Sequence, residues 1–263
     1  SIGMLIGMLH MMALKRPQLS EAQDAIAALA ATFLAAVVAT YLVPLSLRSV
    51  VVASVIVLLP GMMLTNAISE LTSQHLVSGT ARFAGAMATL LKLTFGTIAA
   101  MQVVVLLGWT PQEAVLATPP AWVEWVALTL GAFAFAVLFR AERRDYPLVM
   151  LSVVFGYVVT RSVGGWLSDE LSFFPVGVFL ASMLVTILSN AYARWANRPG
   201  ALVRVPGIIL LVPGSVGFRT LTHVMEQDLA LGLDTAFVLF KALVALVAGL
   251  LFGNLLLGAR RSL

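Results

Sequence analysis

Long apolar segments separated by short polar ones dominate the pattern of this chain. Charged or turn-forming residues bound eight apolar windows, near 22–45, 48–70, 79–108, 122–139, 147–163, 173–193, 203–225 and 233–257. A helix needs about 20 apolar residues to cross the bilayer core, whereas a membrane barrel would need short alternating segments. The pattern therefore predicts eight membrane-spanning α-helices.

A shorter apolar segment, 1–14, opens the sequence. At a rise of about 1.5 Å per residue it is too short to cross a core about 30 Å thick. It also lacks the basic start and the small-residue cleavage site of a signal peptide. We expect it to be the end of a span whose beginning is missing from this chain.

Composition excludes several classes of protein. The 263 residues are 60% hydrophobic and 11% charged, with a mean hydropathy of +1.01, whereas about a quarter of the residues in a soluble domain are charged. With no cysteine, the chain has no disulfide framework, thiolate metal site or thiol nucleophile. It also lacks an HExxH motif, paired intramembrane aspartates and a convincing serine with a histidine partner. We therefore predict a membrane protein that is not an enzyme and has no metal or cofactor.

The basic residues predict an orientation, because Lys and Arg collect on the cytoplasmic side of membrane proteins. One set of alternate loops holds eleven of them: Lys15, Arg16, Arg82, Arg140, Arg143, Arg144, Arg194, Arg198, Arg204, Arg260 and Arg261. The opposite set holds only Arg48 and Arg161. The C-terminus is therefore predicted to be cytoplasmic.

An internal similarity appears at an offset of 153 residues, where LLPGMMLTNAISELTSQHLVSG lies over LVPGSVGFRTLTHVMEQDLALG. The two segments carry a Pro-Gly pair at the same depth, and their spans are five places apart in the order of spans, so they are predicted to cross the membrane in opposite directions. The predicted fold is an all-α polytopic helical bundle built from two inverted repeats of about five spans each. We place the repeats at 1–121, incomplete at its start, and 122–263. Inverted repeats with interrupted helices are typical of secondary transporters.

Pro60 and Pro213 are predicted to break their helices near the bilayer midplane, because proline removes a backbone donor and the following glycine permits a sharp bend. Half-helices starting at Gly61 and Gly214 would then direct unpaired N–H groups and positive dipole ends toward the protein interior, where a carboxylate is the natural ligand. The alternative is a simple proline kink that needs no ligand.

Polar residues follow both breaks. The candidate substrate-binding residues are Gly61, Thr65, Asn66, Gly214, Ser215 and Arg219. Alternatively, the hydroxyl groups of Ser and Thr only hydrogen-bond to their own helix.

Four ionisable residues are candidates for coupling or charge compensation: Glu70, Lys92, Lys241 and His223. A lysine deep in a span is costly unless it is paired, hydrated or neutral, so such residues are functional candidates by default. Glu70 and Asp234 are the plausible acidic partners. Alternatively, the lysine side chains extend to the membrane interface (snorkelling). Glu70 and His223 would then be solvated residues at the membrane surface.

Two segments resemble the threonine/serine exporter family. LLPGMMLTNAISELTSQHLVSGTARFAGA is similar to the signature of its N-terminal half, and FAFAVLFRAERRDYPLVMLSVVFGYVVTR, followed by LLVPGSVGFRTL, is similar to its C-terminal half. The resemblance covers about 45–263 and corresponds to the form in which both halves are fused. The family typically has Asp at the position of Glu70.

The resemblance implies a secondary transporter that exports threonine and serine, coupled to protons, in the bacterial cytoplasmic (inner) membrane. The expected partners are the small-molecule substrate, protons and the lipid bilayer, without nucleic acid; a homo-oligomer is left open. An exporter of succinate-like dicarboxylates and a passive channel or facilitator on the same scaffold remain the alternatives.

Overall fold

The computed structural model describes residues 17–112, 114, 120–166, 175–226 and 228–258. Within these residues the secondary structure is helical, with no strand. The helices are α1 (Pro17–Tyr41), α2 (Leu47–Val55), α3 (Gly61–Thr72), α4 (Leu76–Leu106), α5 (Ala121–Leu138), α6 (Tyr146–Trp166), α7 (Val176–Ala196), α8 (Ala201–Ile209), α9 (Gly214–Met225) and α10 (Leu229–Leu256), with a short 3₁₀ helix at Arg143–Asp145. The all-α prediction is confirmed.

Within the described part of the chain, seven segments are long and apolar enough to span a membrane: Ala22–Tyr41, Leu76–Leu106, Ala121–Leu138, Arg143–Val163, Val176–Ala196, Ala201–Met225 and Leu229–Leu256. The chain is thus a multi-pass membrane protein. The eighth predicted window, 48–70, consists of two short helices, α2 and α3, of 9 and 12 residues. The predicted partial span at 1–14 lies outside the described residues.

Several helices end in the same turn, which keeps the connections short. After α4, Gly108 takes a φ of 69°, and its N–H donates to the Val105 carbonyl while the Trp109 N–H donates to the Val104 carbonyl. This is the Schellman pattern, which favours glycine because it needs a left-handed residue. Gln74 after α3 and Arg140 after α5 adopt positive φ and make the equivalent bonds.

The helices form two compact units. The first contains α1, α2, α3 up to Ala67, α4, α9 and α10 up to Phe237. The second contains the end of α3, α5 to α8 and the remainder of α10. Each unit thus takes residues from both sequence halves, so the units do not coincide with 1–121 and 122–263. The assignment of those halves as inverted repeats stays a prediction.

In the first unit, α1 and α4 pack closely and run parallel. A Cβ on Gly96 would collide with the carbonyl oxygen of Ala25, so only glycine fits at this contact. Further along, the Trp109 ring lies 5.6 Å from that of Phe33 and 5.4 Å from that of Tyr41, between ring centroids. Four alanines of α1 are fully buried: Ala28, Ala31, Ala35 and Ala36. Small residues that allow close backbone approach are the usual means of helix association in membranes.

In the second unit, α7 and α10 make a corresponding contact. A Cβ on Gly249 would collide with the Phe179 carbonyl oxygen and lie 2.9 Å from the Met183 backbone nitrogen. Gly249 lies 153 positions after Gly96, and Phe179 and Met183 lie 154 positions after Ala25 and Leu29, which are the residues that Gly96 approaches. One close helix approach therefore occurs twice, at nearly the offset of the sequence similarity.

The order of helices around the two Pro-Gly pairs is also the same. Helices α1 to α4 contain 25, 9, 12 and 31 residues, and α7 to α10 contain 21, 9, 12 and 28 residues. Each half thus places a short pair of helices between two long ones.

Candidate functional site

Both Pro-Gly pairs separate two distinct helices. Helix α2 ends at Val55 and α3 begins at Gly61; α8 ends at Ile209 and α9 begins at Gly214. The Leu64 N–H donates to the Pro60 carbonyl at 2.9 Å, which makes Pro60 the residue that accepts the first bond of α3. The break predicted at each pair is confirmed, and a kink within one continuous helix is not what the structure has. The first N–H groups of both half-helices have no acceptor within their own helix.

The two half-helices begin at the same place in the first unit. A Cβ on Gly214 would lie 3.0 Å from the Gly61 Cα, 3.1 Å from the Gly61 backbone nitrogen and 3.4 Å from the Leu59 Cβ. Both glycines are buried. Two helix N-termini, each with a partial positive charge, are thus brought together. The sequence predicted the two starts but not their contact.

Thr65, one turn into α3, is 1% exposed, and its hydroxyl has no hydrogen-bond partner among the described residues. Ten other helical threonines donate to the carbonyl four residues earlier: Thr40, Thr80, Thr94, Thr97, Thr129, Thr160, Thr186, Thr220, Thr222 and Thr235. Back-bonding to its own helix, the alternative considered from sequence, is therefore wrong for Thr65. Thr32 on α1 has the same unpartnered hydroxyl and was not predicted.

Asn66 and Arg219 occupy equivalent positions, five residues after the glycine that starts each half-helix. Both side chains are exposed, although Thr65 and Thr220 beside them are buried. Within the described part of the chain, neither makes a hydrogen bond or ion pair. Ser215 is half-buried. The structure places these residues on the same half-helices as the paired glycines, and it records no contact between Asn66 and Arg219.

The predicted coupling residues have different surroundings. Lys92, midway along α4, is exposed, and its charge acts on Asp24 of α1. Asp24 was not predicted, because it lies near the start of the apolar window 22–45; its charge within a membrane helix was the available signal. Glu70, Lys241 and His223 are half-buried.

A polar cluster joins α5 and α6 in the second unit. The Tyr157 hydroxyl donates to the Glu124 carboxylate, and the Arg161 guanidinium pairs with the same carboxylate. Arg161 also donates to the Tyr157 hydroxyl at 3.3 Å. The sequence assigned Glu124 and Arg161 to or beside loops, whereas the structure places both in helices, where they compensate each other's charge.

A second cluster in the same unit surrounds Asp145, which is 5% exposed. The Arg198 guanidinium donates a hydrogen bond to the Asp145 carboxylate. It also lies 3.9 Å from the Glu142 carboxylate. Hydrogen bonds that the Arg198 guanidinium donates to the Tyr192 hydroxyl and the Asp145 carboxylate hold the pKa of Arg198 above its usual value, so the guanidinium remains charged. Sequence analysis counted Arg198 only as an orientation signal.

Matches to models of known families decide the assignment. Residues 1–104 match the ThrE model of threonine/serine exporters, and residues 124–256 match a second threonine/serine exporter model of ThrE. The chain belongs to the threonine/serine exporter family. The two models follow one another along the chain, which has the fused form that the sequence resembled. The family consists of membrane transporters and not of enzymes.

The chain is also similar to fungal proteins. It is 27% identical over 72% of its length to an uncharacterized protein of Schizosaccharomyces pombe, 26% identical over 66% to Pheromone-regulated membrane protein 10 of Yarrowia lipolytica, and 24% identical over 72% to the Saccharomyces cerevisiae protein of that name. The matches span 22%, 14% and 47% of those relatives. No solved structure matches the chain.

The described residues contain no group of three or more His, Cys, Asp or Glu side chains that could hold a metal ion. The arrangement at the paired glycines is instead suited to an anion. Helix N-termini bind carboxylate and phosphate groups through backbone N–H groups and the helix dipole.

Proposed function

We propose that this protein is a proton-coupled secondary transporter that exports small hydroxy amino acids, threonine and serine. The carboxylate of the substrate binds at the N-termini of α3 and α9, beside Gly61 and Gly214. The single observation that carries this proposal is the contact between the two glycines, which gathers two sets of helix N–H groups at one point.

The residues after the breaks supply the remaining contacts. Thr65, with its buried hydroxyl, binds the substrate hydroxyl. Asn66, Arg219 and Ser215 follow on the same two half-helices and bind the rest of the polar substrate. A site that hydrogen-bonds a substrate hydroxyl discriminates strongly against an analogue without it, since the buried partner is then left unpaired.

The two sequence halves act as inverted repeats whose rearrangement gives alternating access. The equal order of helices and the repeated contact at Gly96 and Gly249 support this proposal. The excess of basic residues in alternate loops supports a cytoplasmic C-terminus. Glu70, Lys92, Lys241 and His223 take part in coupling, and the exporter acts in a bacterial cytoplasmic membrane.

The test is efflux of radiolabelled threonine and serine from loaded proteoliposomes under an imposed pH gradient. We expect efflux that saturates with substrate and rises with the gradient. Alanine, which has no side-chain hydroxyl, should be exported at least about tenfold less efficiently. Absence of threonine and serine transport in protein that is folded and reconstituted would overturn the proposal.

A dicarboxylate is the second candidate substrate. It is favoured by the side chain of Arg219, which is exposed on α9 and carries a charge that a second carboxylate would bind. Labelled succinate in the same vesicles separates the two substrates. Flux that neither saturates nor responds to the pH gradient would instead indicate a passive channel.

A further inference from the structure

Two opposite charges lie at the close contact between α1 and α4. Asp24 directly precedes Ala25, whose carbonyl group meets Gly96, and Lys92 lies one turn before Gly96 on α4. Because the two helices pack in parallel, this placement puts Asp24 and Lys92 at nearly the same level of the contact. The missing side chain of Gly96 is what lets the two helices bring these charges together.

The surroundings of the pair are otherwise mostly apolar. Ala27 and Ala28 follow Asp24 and are at most 1% exposed, and Leu93 beside Lys92 is fully buried. Asp24 is half-buried, whereas Lys92 is exposed on the surface of the helices. Charged residues in membrane helices are rare, and they usually mark ion or proton pathways.

Other ionisable residues occur on the helices around the pair. Helix α2, packed against α1, carries Arg48; α4 carries Arg82; and α9, packed against α4, carries Arg219 and His223. On α4, Lys92 lies one turn from the Gly96 contact, whereas Arg82 lies 14 residues before it; Arg48 lies 24 residues after Asp24 in the chain. Lys92 is therefore the basic residue of α4 that this contact brings to the level of the carboxylate.

We propose that Asp24 is the carboxylate that carries the coupling proton, with Lys92 as its counter-charge. The inference rests on the proposed proton-coupled export. In the cycle, the Asp24 carboxylate accepts a proton from water on one side of the membrane and releases it to water on the other. Lys92 keeps its proton throughout, so the net charge of the pair alternates between zero and +1, and no other bond forms or breaks.

The position of Asp24 suits this role because two opposing influences act on it. Its side chain is half-buried, and burial disfavours a charged carboxylate, whereas a lysine at the same helix contact favours one. A rearrangement that changes either the hydration of the carboxylate or its separation from Lys92 therefore changes whether it holds a proton. This links proton uptake to the movement of α1 against α4.

The experiment compares two transport assays on the same proteoliposomes. Gradient-driven efflux of labelled threonine needs net proton movement, whereas counterflow exchange at equal pH does not. For Asp24→Asn we expect a loss of gradient-driven efflux of about tenfold or more, with counterflow within about twofold of wild type. Glu142→Gln is the matched control: it also replaces a carboxylate with an amide, at a side chain that is 63% exposed and lies between α5 and α6, and it should behave as wild type in both assays.

Two further variants keep the test decisive if Asp24→Asn does not fold. Asp24→Glu retains a carboxyl group and should keep gradient-driven efflux. Lys92→Gln should shift the pH dependence of that efflux toward higher pH, because removing the lysine charge favours the protonated carboxyl. A purely structural ion pair would lower the amount of folded protein without moving the pH profile.

Each contrary result has a distinct meaning. If folded Asp24→Asn retains gradient-driven efflux, or if Lys92→Gln leaves the pH profile unchanged, the inference about this pair is overturned and the proposed export stands. If folded wild-type protein fails in both assays with threonine and serine, the proposed function itself is overturned. Wild-type protein that shows counterflow but whose net efflux does not respond to the pH gradient overturns proton coupling and the inference together.

Discussion

At the residue scale, Thr65 shares with Thr32 a buried hydroxyl that does not bond to its own helix, unlike the ten helical threonines that do. For Thr65→Val we expect a free energy of unfolding within about 1 kcal/mol of wild type, because no intramolecular hydrogen bond is lost. The KM for threonine efflux should rise about three- to tenfold if the hydroxyl binds substrate, since a hydrogen bond contributes about 0.5–1.5 kcal/mol.

The control is Thr94→Val on α4. Thr94 is also fully buried, but its hydroxyl donates to the Leu90 carbonyl at 2.9 Å. This variant should lose stability and keep the wild-type KM. An unchanged KM for Thr65→Val, measured on well-folded protein, would remove Thr65 from the binding site.

Asp145 gives a second prediction at this scale. It is buried, and Arg198 donates to it, so Asp145→Asn weakens a charge-assisted hydrogen bond. We expect the free energy of unfolding to fall by about 1–3 kcal/mol. Thermal unfolding in detergent measures the change. Glu142→Gln is the comparison: Glu142 lies 3.9 Å from Arg198 and its side chain is 63% exposed, so its loss should be below about 1 kcal/mol. Equal losses of unfolding free energy in the two variants would contradict the assigned difference in burial between Asp145 and Glu142.

Single residues were predicted from sequence when their type is unusual for their position. Lys92 and Arg219 are charged in apolar windows and were recognised on that ground. Asp24 was missed, because its position near the start of a window made it look interfacial. Its proximity to Lys92 depends on packing between helices distant in sequence, and no local pattern carries that information.

At the element scale, the contact between the two half-helix starts depends on Gly214. A Cβ added there lies 3.0 Å from the Gly61 backbone, so Gly214→Ala must push the two N-termini apart by a few tenths of an ångström. We expect threonine efflux to fall by about tenfold or more, because misplacing binding groups by a fraction of an ångström to an ångström weakens their interactions strongly.

The matched control is Gly131→Ala in α5, where an added Cβ meets nothing within 4 Å. Alanine is the better helix former by about 1 kcal/mol, so this variant should be as stable as wild type or more stable, with normal transport. The assigned role of the glycine contact fails if the two variants transport equally well.

The helices themselves were largely predictable. Their existence follows from apolar length, and the breaks at Pro60 and Pro213 follow from local backbone chemistry. What the sequence did not reveal is that Gly61 and Gly214 meet. A glycine in the sequence does not indicate which residue it contacts, because the missing side chain permits either a backbone bend or a close helix approach.

At the scale of the whole molecule, the compact units are not the sequence halves, because α9 belongs to the first unit and the end of α3 to the second. A boundary drawn between two sequence repeats cannot predict that a helix of one repeat packs in the unit formed mainly by the other. Arg48 and Glu226 lie 3.8 Å apart in the first unit, so the start of α2 lies beside the end of α9.

The orientation can be tested by cysteine labelling, because the chain has no cysteine of its own. Ser49, beside Arg48 in the first turn of α2, and Ser73, just after α3, are exposed serines at opposite ends of the α2–α3 pair. In intact cells we expect a membrane-impermeant maleimide to label Ser49→Cys, whereas Ser73→Cys should react only after the membrane is opened, since basic loops stay in the cytoplasm. Labelling of both variants in intact cells would mean that α2 and α3 do not cross the membrane together, and a reversed pattern would overturn the cytoplasmic assignment of the C-terminus.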